Sequence, residues 1–481
     1  RYFISGEVID TKVYEIQKSY ETYIVDKTVI DLKIPIKKGE LIAYSGNSGS
    51  SFAPHLHFEI RETSTEHALN PLLFKCYQKL IPDTTPPQIR GIKIYAITPN
   101  GYLLPGKSTY YTVKQEGEKY IINGGTPINI DHLLVNNSYF GIGIHAIDKL
   151  NGAGNSCGIY NTEINKDGKL LHEQKTEYMN FDHNRFMNSH KDYTAFKKER
   201  KHIHKQFTTN INPLPIYPLN GGKIKWSERS GTYSISIKDA HGNKIIFEFK
   251  IISESENFKQ NIFEQKKDYF FPDTVNFILK DECQVLFETG TFYEPLEIFY
   301  KKEKPDSNSR HIGNIHSFAS SSIPVQKKYD IRLKCPILPS NFPKDKLGIV
   351  YIDKKNRIKY IGGKHFDGWV EGQVRDFGRF SIMVDSVAPI IKPLDYNNGK
   401  TITKYNTLEL KINDNLSGVK SYKAYINNKW VLMTYNRKNG RYIIPLNARS
   451  KKHLIKGKNN VKIVASDRNN NNSTLTTSVT F

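Results

Sequence analysis

The stretch Tyr233-Ser234-Ile235-Ser236-Ile237-Lys238-Asp239-Ala240-His241-Gly242-Asn243-Lys244-Ile245-Ile246-Phe247-Glu248-Phe249 sets the fold class. Apolar residues occupy alternate positions, an Asp-led turn with Gly and Asn interrupts them, and alternation resumes. A period of two gives a strand one apolar and one polar face. Asp, Gly and Asn between two such runs favour a tight antiparallel connection. The pattern recurs at Val461-Lys462-Ile463-Val464-Ala465-Ser466-Asp467, before an Asn run and Thr474 to Phe481. It recurs again at Ile144-His145-Ala146-Ile147-Asp148, before Gly152-Ala153-Gly154-Asn155. Each reads as strand, Asp-led turn, strand.

Working outward, Asp83-Thr84-Thr85-Pro86-Pro87 reads as a linker, because paired prolines stop helices and favour extended chain. A similar string, Asp385-Ser386-Val387-Ala388-Pro389, precedes a second alternating run. The two strings predict modules that begin alike. These segments resemble bacterial immunoglobulin-like sandwich domains, as does Asp414-Asn415-Leu416-Ser417-Gly418-Val419 with Lys429-Trp430-Val431. The expected fold is all-β: residues 83–255 form one sandwich, 256–384 a second β module and 385–481 a C-terminal sandwich. A His-, Lys- and Asn-rich stretch at 171–217 is expected to be a long insertion or elaborated loop with few strands, helical in part near Thr194 to His204. Lys301 to Ser322 reads as a mobile polar loop. Arg1 to about Lys33 alternates polar and apolar residues in the manner of strands.

Composition agrees with packed β structure. The 481 residues are 38% hydrophobic and 12% aromatic, with 29 Tyr and 25 Phe against 4 Met. Aromatic and β-branched residues favour strands. The formal charge of +22 arises from 70 Lys+Arg and 48 Asp+Glu. Such a balance favours polyanions, though it says nothing of fold. No nucleic-acid module accompanies the charge, so nucleic acid is not an expected partner. The 4 cysteines are far apart and lack metal or disulfide-scaffold spacing, which leaves long-range bridges and free buried thiols both open. No apolar run is long enough to cross a bilayer. Neither a Walker-type nor a Rossmann-type glycine loop is present, and no Ser or Cys nucleophile motif stands out.

The candidate chemistry lies near the start, in Gly46-Asn47-Ser48-Gly49-Ser50-Ser51-Phe52-Ala53-Pro54-His55-Leu56-His57-Phe58-Glu59-Ile60. On a strand, His55, His57 and Glu59 would share one face, and Leu56, Phe58 and Ile60 would pack on a core. Neutral imidazole is a good zinc ligand. With 15 histidines in 481 residues, chance alone gives about 0.5 His-x-His pairs. Indeed His202-Ile203-His204 is another. The context is what distinguishes the first pair. From Val8 to Phe74, through Lys37-Lys38-Gly39-Glu40-Leu41-Ile42-Ala43-Tyr44-Ser45 and Asn70-Pro71-Leu72, the chain resembles the last part of the lysostaphin-type (LytM-like) zinc metallopeptidases. Those enzymes cut peptide cross-links of peptidoglycan.

The resemblance implies that residues 1–82 are the C-terminal half of an antiparallel LytM-like domain. It gives His57 as a zinc ligand and His55 as the catalytic histidine, with Ser48, Ser50 and Ser51 on a loop bordering the substrate cleft. Zinc would polarise the scissile amide and acidify its water. The family's upstream His-x-x-x-Asp motif is not found in this sequence. The expectation is therefore an N-terminally truncated, inactive fragment of a peptidoglycan endopeptidase in the periplasm, at the outer membrane or outside the cell. Its sandwich modules would bind the wall or other envelope proteins. The alternatives are a non-catalytic LytM-like regulator or scaffold, and a polyanion-binding protein.

Among other candidates, Glu59 could support the site or simply be solvated. His172, His183, His190, His202 and His204 fit no common metal spacing and read as solvated loop histidines. Asp467-Arg468-Asn469-Asn470-Asn471-Asn472 begins like a calcium loop. It lacks Gly at the sixth position and has Ser478 at the twelfth, so an Asx-turn is the better reading.

Overall fold

In a computed structural model, residues 7–25, 35, 37–41, 53–133, 138–219, 221–253, 269–306, 309–396, 399–402 and 407–481 are described. The chain is predominantly β, with antiparallel sheets throughout. Three large apolar clusters form successive cores, built from residues between Ile89 and Ile251, between Ile278 and Ile382, and between Tyr396 and Val479.

The C-terminal sandwich has two sheets. One orders its strands Ile390–Pro393, Thr407–Asn413, Arg441–Pro445, Thr434–Asn436. The other runs Lys400–Thr401, Asn472–Thr480, Lys458–Asp467, Val419–Ile426, Lys429–Val431. The short Lys400–Thr401 strand pairs parallel with the last strand, while the neighbours are antiparallel. This is the ABED and GFC order of an immunoglobulin-like sandwich. The first sandwich repeats it. One sheet runs Ile128–Asn129, Lys244–Ile252, Gly231–Lys238, Asn161–Lys166, Lys169–Lys175, again with the short strand parallel to the last. In its other sheet Gln88–Ile97 pairs with Tyr139–Ile147, which pairs with Ile203–Lys205 and Ile224–Lys225. A hairpin, Leu103–Glu116 with Lys119–Ile122, extends the first strand's free edge. The middle unit packs two five-stranded sheets around Phe287, Phe318, Tyr329 and Phe377.

The Tyr233–Phe249 segment forms the hairpin its alternation implies, with Tyr233, Ile235, Ile237, Phe247 and Phe249 buried. Lys458–Asp467 and Asn472–Thr480 do the same. The Asp148 string differs. The strand before it and the strand Asn161–Lys166 lie in opposite sheets, so the Asp148 loop crosses the sandwich rather than closing a hairpin.

Several local expectations need correction. Glu7–Tyr20 is a helix, not part of an alternating strand. Val13, Tyr14, Ile16 and Gln17 share its less exposed face, the spacing of a helical stripe. That helix lies on the C-terminal sandwich: Asp10 pairs with Arg449 at 2.6 Å, whose guanidinium sits 4.3 Å from the Tyr14 ring centroid. Lys301 to Ser322 is not an irregular loop throughout, because Tyr300–Glu303 and His311–Phe318 are paired strands. Residues 171–217 are helical in part, as expected, but are packed into the sandwich rather than forming a loop throughout. They include the helix Tyr193–Glu199 and the sheet strand Ile203–Lys205, and they bury Phe207, Leu214 and Ile216. The four cysteines are free thiols, of which Cys283 and Cys335 are buried.

Candidate functional site

Residues 54–59 form no regular secondary structure and lie outside any sheet, and strand pairing begins at Ile60–Arg61. The expected apolar face is therefore not buried: Leu56 is 70% and Phe58 56% exposed. Phe58 meets the Tyr77 ring, at 5.3 Å between centroids. Without a sheet partner behind them, these side chains have no core to enter. Glu59 is occupied by Arg61, at 2.8 Å, in an exposed pair of little energetic weight. Ser48, Ser50 and Ser51 lie outside the described residues.

His55 and His57 nevertheless come together. Their Nε2 atoms are 3.0 Å apart and both rings are exposed. His55 Nδ1 lies 2.9 Å from the Ala53 carbonyl oxygen, so it carries the proton and donates. Its Nε2 then presents a lone pair toward His57. Two nitrogen ligands on one tetrahedral zinc sit about 3.3 Å apart, so the pair is close to a metal-binding spacing. Among the described residues, no third His, Cys, Asp or Glu joins them within ligand distance.

The histidines of 171–217 form a different structure. His190 and His172 are buried, and His190 Nδ1 lies 2.9 Å from the Tyr217 hydroxyl. The His190 and His204 rings are 4.9 Å apart. Burial pushes His172 and His204 down to about 4, and His190 well below its ordinary value, with the neighbouring His and Lys charges adding to it. His145, on the facing strand, is pushed to about 4 by burial and then by Arg90 and Lys201. In each case the folded value lies below the unfolded one, so the unfolded chain binds more protons as the pH falls. The first sandwich should then lose stability between about pH 6.5 and pH 4. His172 alone should account for about 2 kcal/mol between pH 7 and pH 5. Asp148, pushed up to about 6 by burial, opposes this. Thermal unfolding across that range should show a falling transition for the first sandwich, and His172→Gln should flatten it. A transition that does not move would mean these imidazoles are hydrated.

Two further clusters bring together acids that the sequence shows only as separate turn signals. Asp83, Asp148 and Asp239 each place a carboxylate oxygen within 4.8 Å of the other two, and all three are buried. Asp385, Asp414 and Asp467 do the same, with Asp414 half-buried. The two triads occupy the same three places in their sandwiches: the segment entering the first strand, the loop that crosses to the other sheet, and the last hairpin turn. The turn aspartates are held alike. Asp239 Oδ1 accepts from the His241 and Asn243 amides, and Asp467 Oδ1 from those of Asn469 and Asn471. The Asn243 side-chain amide donates to Asp239 Oδ2 and the Asp83 carbonyl. Asn471 donates likewise to Asp467 Oδ2 and the Asp385 carbonyl. The repeated strings marked these aspartates in sequence, but nothing local shows that they converge.

No described helix is long and apolar enough to cross a membrane. A comparison with curated proteins finds no match. Among solved structures, a Ca2+-stabilized adhesin from an Antarctic bacterium, described as helping it bind ice, is 8% identical. It aligns over 81% of this chain and 90% of its own, at a TM-score of 0.14. The human desmocollin-1 ectodomain is 9% identical over 87% and 96% of the two chains, at 0.15. At such scores the strand order remains the ground for the fold. Residues 267–385, the middle unit, match the family profile of a Zu5-like domain.

Proposed function

We propose that the chain belongs to the working apparatus of a peptidoglycan-directed zinc metalloendopeptidase. In this reading His57 is the metal ligand, His55 the proton-handling partner, and the sandwiches hold the site at the cell wall. The observation that carries this reading is the His55–His57 approach at 3.0 Å, within a segment that resembles the closing motif of the LytM-like enzymes. Zinc would supply Lewis acidity and an acidified water. The residues present fit that role in part, since a catalytic zinc takes three protein ligands and an open position. His55, with its proton fixed on Nδ1 by the Ala53 carbonyl, keeps Nε2 directed at the same space as His57. A substrate in the bacterial wall places the protein in the periplasm or at the cell surface.

Residues 1–481 alone should therefore bind zinc weakly and release no muropeptides from purified wall. Joined to an upstream strand carrying His-x-x-x-Asp, they should show release that a chelator abolishes and that His57→Ala removes. Zinc uptake that His57→Ala leaves untouched would sink the assignment. A joined chain that binds zinc yet releases nothing would favour the non-catalytic scaffold. Chelator-sensitive release by the 481 residues alone would reveal a ligand set other than this one.

A further inference from the structure

We infer that the two aspartate triads are calcium sites, one at the entry end of each immunoglobulin-like sandwich. The first indication is an excess of buried negative charge. Asp83, Asp148 and Asp239 are 7%, 5% and 3% exposed, and Asp385 and Asp467 are 1% and 0%. Among the described residues, none of the six acids forms an ion pair with a Lys, Arg or His, although the chain carries a formal charge of +22. Buried like charges without a counter-ion are costly. Lys346, beside the second triad, donates instead to the Asn469 carbonyl at 2.8 Å.

The second indication is separate from the clustering. Asp83 Oδ2, Asp148 Oδ1, Asp385 Oδ1 and Asp414 Oδ1 are buried oxygens with no hydrogen-bond partner. In three of these residues the other oxygen is committed to loop amides. Asp83 Oδ1 accepts from Thr85 and Asn151, Asp385 Oδ2 from Ser417, and Asp414 Oδ2 from Leu416 and Gly418. In each of these three carboxylates the second oxygen is the unpartnered one. The same two topological positions, the entry segment and the crossing loop, carry the orphans in both sandwiches. A buried acceptor left without a donor costs about 1–3 kcal/mol, more when charged. Four such oxygens in two equivalent places point to a cation that they share.

The donor set selects the cation. All-oxygen, carboxylate-rich ligation suits hard divalent ions, not zinc or copper. Calcium takes about six to eight oxygens at 2.3–2.6 Å in a flexible shell, so three carboxylates whose oxygens lie within 4.8 Å of one another can share one ion, with loop carbonyls and water completing it. Magnesium's shell is narrower, about 4 Å across, and more rigid. The turn aspartates can still contribute, because an ionised carboxylate has about four lone-pair sites. Burial, then the neighbouring acids, pushes Asp148 and Asp385 up, the expected response of carboxylates crowded without a cation.

Each ion would fasten a joint. At the second triad, the Asp385 amide donates to the Lys346 carbonyl at 2.9 Å, and the Asn469 side chain bridges Lys346 and Asp385. At the first, Gln78 donates to the Ala240 carbonyl, and His241 Nε2 to that of Ile81. Calcium would thus stiffen the Zu5-like unit against the C-terminal sandwich, and the His55–Ile81 segment against the first.

The test uses the whole 481-residue chain, stripped with chelator and titrated with calcium chloride by calorimetry, with magnesium chloride in parallel. Two calcium ions per chain are expected, with magnesium weaker by about tenfold or more. Asp148→Asn should reduce the stoichiometry to one, Asp414→Asn likewise, and the pair to none. In chelator each variant should melt at or above the parent, because a buried unpaired charge is gone. Calcium should then raise the parent's melting temperature but not that of the double variant. Asp83→Asn and Asp385→Asn give a second probe of each site should a first variant fail to fold. The inference is overturned if no saturable uptake occurs up to about 10 mM calcium, well beyond the weak range of extracellular modules. It is equally overturned if uptake survives unchanged in the folded variants of both positions.

Discussion

Phe287→Ala should cost the middle unit about 3–5 kcal/mol, the usual range for emptying a buried aromatic site. The ring is fully buried and central to an aromatic cluster. Its centroid lies 4.8 Å from Tyr329, 5.7 Å from Phe292, 5.8 Å from Phe270 and 6.0 Å from Phe377. Edge-on contacts, such as those with Phe292 and Phe270, add about 0.5–1.5 kcal/mol per pair beyond area burial. Tyr329 is fixed on a strand of the same sheet and Phe318, 6.4 Å away, on a strand of the opposite one, so these two rings cannot move into the space without shifting a sheet. A domain has only about 5–15 kcal/mol in all, so this loss should bring the middle unit down as a separate, earlier transition. Phe277→Ala, on the same sheet but 53% exposed, should barely change it. Hydrogen exchange over Cys283–Phe287 reads the effect locally, without assuming that the chain unfolds in one step. Equal protection in the two variants would contradict the packing described.

Asp192→Ala should be of similar size, about 3–5 kcal/mol, because it strands a charge. Asp192 accepts from Lys93 Nζ at 2.6 Å and from the Tyr95 hydroxyl at 2.9 Å, and it caps the helix Tyr193–Glu199 through the Ala195 amide at 2.9 Å. Burial raises its pKa, yet Lys93 and these donors outweigh that and hold it below the ordinary range. Tyr95 is buried and would lose its acceptor. The group lines a cleft of about 490 Å³ between the first sandwich and the middle unit, where the buried Lys205 approaches Glu294 at 3.6 Å. Asp192→Asn keeps one side-chain oxygen, enough for the helix cap or for the tyrosine but not for both, and should lose less than Ala, which keeps neither. Urea unfolding should rank parent, Asn and Ala in that order, with the lost stability in the first sandwich. Indistinguishable midpoints would mean that Lys93 and Tyr95 find water when the carboxylate is removed.

Much of the fold was legible because strand period is a local property. Tyr233 to Phe249 alternates, so its inner residues enter the core whichever strand lies beside them. The linker strings at Asp83 and Asp385 were legible because proline constrains its own neighbourhood. The helix Glu7–Tyr20 was not, since its apolar residues are sparse enough to suit either period, and its packing on Trp430 and Arg449 comes from the far end of the chain.

The candidate site divides in the same way. Sequence alone determined the residue types and spacing of Pro54-His55-Leu56-His57, and the two imidazoles do meet. It also determined that the turns at Asp239 and Asp467 would be held by their own carboxylates, a bond that spans only a few residues. Tertiary structure alone decided that Leu56 and Phe58 stay outside a core, because burial depends on a sheet partner from elsewhere in the chain. It decided that His172 and His190 are buried rather than solvated, because Tyr217 and the strand Tyr139–Ile147 close over their segment. Above all, it decided that Asp83, Asp148 and Asp239 share one point in space, and Asp385, Asp414 and Asp467 another. A carboxylate's chemistry is fixed by its residue, but its field depends on distance, and those distances are set by sheet pairings between strands remote in sequence.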